Sequence, residues 1–292
     1  MFEDYQAPLD LKIKQAEDKW LPSSYNYLRS LFKGQKLVSH DQDHHFRTWV
    51  ITKILLQQKN REGVLFSAAF IEALLIAVMF HDAGMSRTIN KTHGEESRKI
   101  CEDFLSAGPG ILDGYFKALL NAIVHHDDKM YKKQPDSPNM TEEKWLLRLL
   151  CMADDLEAFG ALGVFRYTEI YLLRGIAIAQ LPQQVIDNVV SRFDHFCSFF
   201  PDSTGVQLFY QRYYFIYDFF SMLLNDGVDN DNSQSSIIKM IESHLTGRYH
   251  DIHSVYSFRH HHMLPEEVFF LKNIEAECLE LNRYHHHSSY AG

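Results

Sequence analysis

With 292 residues, 46% of them hydrophobic and 13% aromatic, the chain has enough apolar material for one large folded domain or two smaller ones. A net charge of −9 argues against a binder of nucleic-acid duplexes, which needs a basic face to track phosphates, while a local pocket for a small phosphorylated ligand stays open. Cys101, Cys151, Cys197 and Cys278 are widely separated and form no CxxC pair, so they read as free thiols of a cytoplasmic protein.

In chain order, the opening MFEDYQAPLDLKIK lacks a basic segment followed by an apolar one, so no signal peptide is expected. Helical periodicity then predicts helices over 37–58, 64–82, 92–106, 111–126 and 141–159. The longest apolar run, 64–80, carries Ser67 and Glu72 and ends in His81-Asp82, which suits a central core helix better than a membrane span. Thr92 and Glu95 have capping-box spacing, and AGPG at 107–110 stops that helix. The polar stretch 127–139 reads as a loop. A composition shift near Leu181-Pro182 divides the chain into a helical domain, 1–180, and a helical C-terminal extension, 181–292, expected to pack on it. Further helices are predicted over 185–200 and 206–225, the second rich in Tyr and Phe and suited to a core or a homodimer interface. NDGVDNDNSQSS, 225–236, reads as a flexible acidic loop, the run His260 to His262 as loop surface, and His285 to His287 as a mobile tail. No alternating strand is apparent, so the expected class is all-α.

Three stretches carry polar groups on core-facing lines. In SHDQDHHFRTWVITKILL, His40, His44, Arg47, Ile51 and Ile54 share one helical stripe; the same stretch also reads as a plain helix start capped by Ser39. In VMFHDAGM, an imidazole and a carboxylate follow each other at the end of an apolar helix, with Gly84 placed as a stop. A carboxylate is unfavourable at a helix C-terminus, and a cation there removes the conflict. In EEKWLLRLLCMADDLEAFGALGVFR, Asp154 projects from the Leu147–Leu150 line, while Asp155 and Glu157 face solvent or support their neighbours. Imidazole and carboxylate together suit Mn²⁺, Fe²⁺, Ni²⁺, Co²⁺, Mg²⁺ or Zn²⁺.

His44, His81-Asp82 and Asp154 resemble the H…HD…D signature of the HD-domain superfamily of metal-dependent phosphohydrolases. HDxxHxxR at 40–47, FHDAGM at 80–85, THGEES at 92–97 and MADDLEAFGALGVFR at 152–166 fall in that family's order. The last is similar to the ADxLDAxGAxGxxR segment of a bacterial branch whose substrate is uncertain. The resemblance covers about residues 35–175. It implies an HD-type helical bundle whose divalent metal is held by His44, His81, Asp82 and Asp154, cleaving a nucleotide or other small phosphorylated substrate with metal-activated water. Arg47 matches the arginine after the first ligand histidine and would orient phosphoryl oxygens. Glu157 departs from the branch's usual aspartate, and the C-terminal region has no counterpart.

Some relatives of this fold hold two metals. His93, His125 and His126 fall in the interval from which a second ion would take ligands, with Asp82 bridging the two ions. The bland alternative leaves His93 in a first helical turn and His125-His126 at a helix end. His126 or His125 also suits a general acid or a phosphate contact. Arg87 and Lys91 read as phosphate contacts or as solvated loop charge. Two other functions stay in view: a non-catalytic nucleotide-binding or signalling module, and a di-iron oxygenase on the same fold.

Overall fold

The computed structural model describes residues 7–35, 37–108, 114–128, 140–201, 206–227, 230, 232–245, 251–257 and 263–288, the side chains of 285–288 excepted. Every regular element among them is helical, and the class is all-α. Much of the 127–139 loop, Pro109 and Gly110 of the AGPG stop, and His260 to His262 lie outside the described residues.

The helices are α1 (Leu9–Phe32), α2 (Gln42–Arg61), α3 (Ala68–Phe80), α4 (His93–Ala107), α5 (Phe116–His125), α6 (Glu142–Glu157), α7 (Gly160–Leu173), α8 (Leu181–Phe199), α9 (Gln207–Asp226), α10 (Ser233–His244), α11 (Ile252–Ser257) and α12 (Pro265–Ser288). Two compact units divide them: residues 1–32, 42–154 and 282–292 form one, residues 33–41 and 155–281 the other. α6 passes from the first to the second between Asp154 and Asp155.

In the first unit α3 is the central element. It is apolar on every side, so no face can be left to water, and α1, α2, α4 and α5 all pack on it. Ser67 caps its start, its hydroxyl accepting from the Phe70 N–H. Glu72, its one charged residue, accepts from Trp20 Nε1 and Lys19 Nζ of α1. The stretch Ala68–Ser86 is long and apolar enough to cross a membrane, yet 83% of its window is buried inside the protein, as a core helix is.

In the second unit α7 packs on α8, α9 and α10. Gly163 lets α7 approach the Ala158 carbonyl, where any Cβ would overlap. Glu277 of α12 accepts from the first free amides of α7, Ala161 N at 2.7 Å and Leu162 N at 3.1 Å. The Tyr/Phe-rich stretch is a core helix: Phe209, Tyr213, Ile216, Phe219, Phe220 and Leu223 are buried, with Tyr214 left exposed.

Several expected boundaries move. α2 begins at Gln42, so His40 lies before the helix and Ser39 does not cap it. Both answer to Glu169 instead, which accepts from Ser39 Oγ and from the Val38 and Ser39 amides. Thr92 precedes α4 without any side-chain cap, since its φ of −86 and ψ of 1 are not the extended backbone that a capping residue adopts. The acidic loop is shorter than expected: Asn232 caps α10, its side chain accepting from Ser235 N, so SQSS is helical. His285 to His287 continue the backbone of α12 rather than forming a tail.

Candidate metal centre

His81 and Asp82 lie where α3 ends. His81 is its C-cap, and Ala83–Ser86 tighten into a 3-10 turn. On a regular helix adjacent side chains diverge by about 100°. The change of winding at Asp82, φ −105 and ψ 10, brings the two together. His44 comes from the first turn of α2, Asp154 from the last turn of α6, and His93 opens α4. His126 is the C-cap of α5.

Two groups result. Ligand-capable atoms of His44, His81, Asp82 and Asp154 all lie within 4.8 Å of one another, and so do those of Asp82, His93 and His126. Asp82 belongs to both. Its Oδ1 stands 3.0 Å from His126 Nε2 and 3.2 Å from His93 Nε2. Its Oδ2 stands 3.4 Å from His44 Nε2 and 3.6 Å from His81 Nε2. Asp154 Oδ1 completes the first group at 3.6 Å from His81 and 3.8 Å from His44.

Backbone carbonyls orient three of the four rings. His81 Nδ1–H donates to Val78 O at 2.7 Å, His93 Nδ1–H to Asn90 O at 2.8 Å, and His126 Nδ1–H to Ile123 O at 2.7 Å. Each ring then turns Nε2 inward, a lone pair wherever that nitrogen carries no proton, the arrangement typical of metal-ligating histidine. Nitrogen faces nitrogen at 3.1 Å between His44 and His81 and at 3.3 Å between His93 and His126. Buried lone pairs and carboxylates converging in this way call for a cation between them. This donor set fits a divalent transition-metal ion.

The electrostatics agree. Burial, then the imidazoles of His81 and His44, hold His45 well below the usual histidine value. Burial lowers His81 as well, against the pull of Asp82 and Asp154. For Asp82, burial acts upward, but His81 and the bonds from His126, His44 and His93 hold it well below the usual carboxylate range. His126 runs the other way. Burial opposes its charge, yet the Asp82 carboxylate, with Asp154 and Asp127, holds it up at about 9. In the metal-free protein a proton on His126 therefore does part of a cation's work.

The other sequence-derived candidates stand as follows. Arg47 is buried one turn along α2 from His44. His125 is not in either group: its side chain is 48% exposed and faces Asp128, because it lies one residue, and so about a quarter turn, from the inward His126. Arg87 is exposed and paired with Glu96 at 3.1 Å, and Lys91 is exposed. Asp155 and Glu157 do not face solvent; they are buried and pair with Arg192 and Arg166. Gly84 is not a left-handed helix stop. It is needed because a Cβ there would overlap the His93 carbonyl oxygen and lie 2.6 Å from Ser97 N.

Sequence reasoning missed His45, buried with its ring 5.2 Å from that of His44 and 5.1 Å from that of His81. The His-His doublet was its only signal, and nothing in it says which ring faces the site. Comparison with models of known protein families, with curated proteins and with solved structures returned no match. What stands is an all-helical protein with a buried His/Asp cluster suited to metal.

Proposed function

We propose that this chain is a metal-dependent phosphoester hydrolase of the HD type, acting on a nucleotide or another small phosphorylated metabolite. The observation that carries the reading is the division of the Asp82 carboxylate between two sets of imidazoles, which fits two ions, one that would be held with His44, His81 and Asp154 and one with His93 and His126. A bound divalent ion polarises a phosphoryl oxygen and lowers the pKa of its water toward about 7, and two together clamp the attacking and leaving oxygens.

The chain's own groups do the rest. His44, His81, Asp82 and Asp154 would hold the first ion, and Asp82, His93 and His126 the second. Rings pinned through Nδ1 need no reordering when the site fills, which keeps the arrangement ready for reaction. His44, His81, His93 and His126 are almost wholly buried, whereas the Asp154 side chain is 16% exposed, so substrate would approach from its side. Arg47, a rigid fork one turn from His44, would meet phosphoryl oxygens. Its charge and those of the ions offset the repulsion between Asp82, Asp154 and a phosphate. For His126, a place in the second group supports a ligand's role over that of a general acid, since a coordinated Nε2 has no proton to give.

The test is turnover of bis(p-nitrophenyl) phosphate and p-nitrophenyl phosphate by metal-loaded protein, beside His81→Ala and Asp154→Ala. The expected outcome is hydrolysis that needs the metal and is lost in both variants. Hydrolysis retained in both would overturn the proposal. The nitrogen-rich donor set, four imidazoles to two carboxylates, favours a second reading, a di-iron oxygenase. Oxygen consumption by iron-loaded protein, without phosphoester turnover, would identify it.

A further inference from the structure

The group Asp82, His93 and His126 is assembled from three segments whose backbones nearly touch. A Cβ on Gly84 would overlap the carbonyl of His93, and a Cβ on Gly94 would sit 2.7 Å from the carbonyl oxygen of Val124. The turn after Asp82 therefore lies directly on the first turn of α4, and α4 directly on the last turn of α5. Packing of this kind is close but not directional. Direction comes from hydrogen bonds: beside the exposed Arg87–Glu96 pair, the buried Gly84 N–H donates to Ser97 Oγ at 2.8 Å.

Ser97 is buried in the interior of α4, where serine has no intrinsic advantage and usually bonds its own helix. Its hydroxyl instead accepts from a neighbouring segment, satisfying an amide that opens the 3-10 turn and has no partner within it. Gly84 is two residues from Asp82, and Ser97 is one helical turn from His93. The bond thus ties together the two backbones that set the 3.2 Å approach of His93 Nε2 to Asp82 Oδ1.

We propose that Ser97 is a positioning residue for the second half of the metal centre, fixing the turn that carries Asp82 against the helix that carries His93. The proposal rests on the two-ion reading above. Of the four groups that would hold the first ion, His44, His81 and Asp154 come from α2, the end of α3 and α6, with no bond from Ser97 to them, and only Asp82 is shared, so the first ion should depend on Ser97 much less than the second.

The test is stepwise titration of the metal-free full-length chain with Co²⁺, following visible ligand-field absorption and bound cobalt per chain. Wild type should take up two ions in distinguishable steps. Ser97→Ala should keep the first step and weaken the second by about 10- to 100-fold, as loss of a group supporting a metal ligand does. Ser97→Thr, which keeps the hydroxyl, should restore the second step. Equal weakening of both steps in Ser97→Ala, or no weakening of either, would overturn the positioning role. Wild type binding a single ion, or none, would instead remove the two-ion reading beneath it. Should Ser97→Ala not fold, hydrogen exchange at the wild-type Gly84 amide decides: it should slow with the second equivalent of Co²⁺, and an unchanged rate would overturn the proposal.

Discussion

At the scale of single residues, His125 and His126 form a natural control pair. They are neighbours of identical chemistry, yet one is half-exposed beside Asp128 and the other is buried 3.0 Å from Asp82 Oδ1. His126→Ala should therefore lose one bound ion, and His125→Ala should lose none; metal content of the dialysed proteins checks this. A stoichiometry that falls equally in both would contradict the placement of the two rings. His44, His81, Asp82 and Asp154 could be picked from the sequence because each is a polar group stranded on an apolar line. His93 and His126 could be noticed but not assigned, since a histidine at a helix end is ordinary and only its partner across the fold makes it a ligand.

At the scale of elements, α3 supports the centre from the core of its unit, with α1, α2, α4 and α5 packed on it. Phe80, immediately before His81, is fully buried, with ring centroids 4.8 Å from Phe104 of α4 and 5.9 Å from Tyr27 of α1. Phe80→Ala should cost about 3–5 kcal/mol of stability, since three helices meet at that ring and cannot all collapse into the gap. Denaturant unfolding monitored by circular dichroism measures it, and a loss below 1 kcal/mol, roughly what a surface change gives, would contradict the packing. Element type was legible for α2 to α6, α8 and α9, because 3.6-residue periodicity is a local property, whereas α1, α7, α10, α11 and α12 were not predicted. Some element ends were not. Gly84 read as a helix stop, and Thr92 with Glu95 as a capping box, but a carbonyl from α4 explains the first and the local backbone angles undo the second.

For the whole molecule, the centre makes stability depend on pH in a direction set by His126. Its folded-state pKa is raised to about 9 from an ordinary 6.5, so its contribution is full below about 6.5 and lost as pH rises through about 9. Asp82, held well below 3.8, contributes above that value and loses its contribution as pH falls through its lowered folded-state value. Metal-free protein should therefore melt at lower temperature near pH 9 than near pH 7, a range above that in which the lowered His45 and His81 act in the opposite direction. Added Co²⁺ should reverse the trend: it must displace the His126 proton, so the gain in melting temperature should grow with pH toward about 9. Thermal melts with and without chelator across that range check both signs. A Co²⁺-induced gain that is the same at both ends would show that His126 is not a ligand.

The sequence by itself determined an all-helical chain, a central apolar helix and the identity of the groups that make the centre polar. These follow from residue chemistry and spacing, which act over a few positions. Tertiary structure alone decided that Asp82 faces two sets of imidazoles, that His126 rather than His125 turns inward, and that Ser97 and Gly84 bring α4 onto the turn after α3. Those facts depend on segments 11 to 44 residues apart meeting within about hydrogen-bonding distance, and no local pattern records which backbone carbonyl or amide will be waiting there.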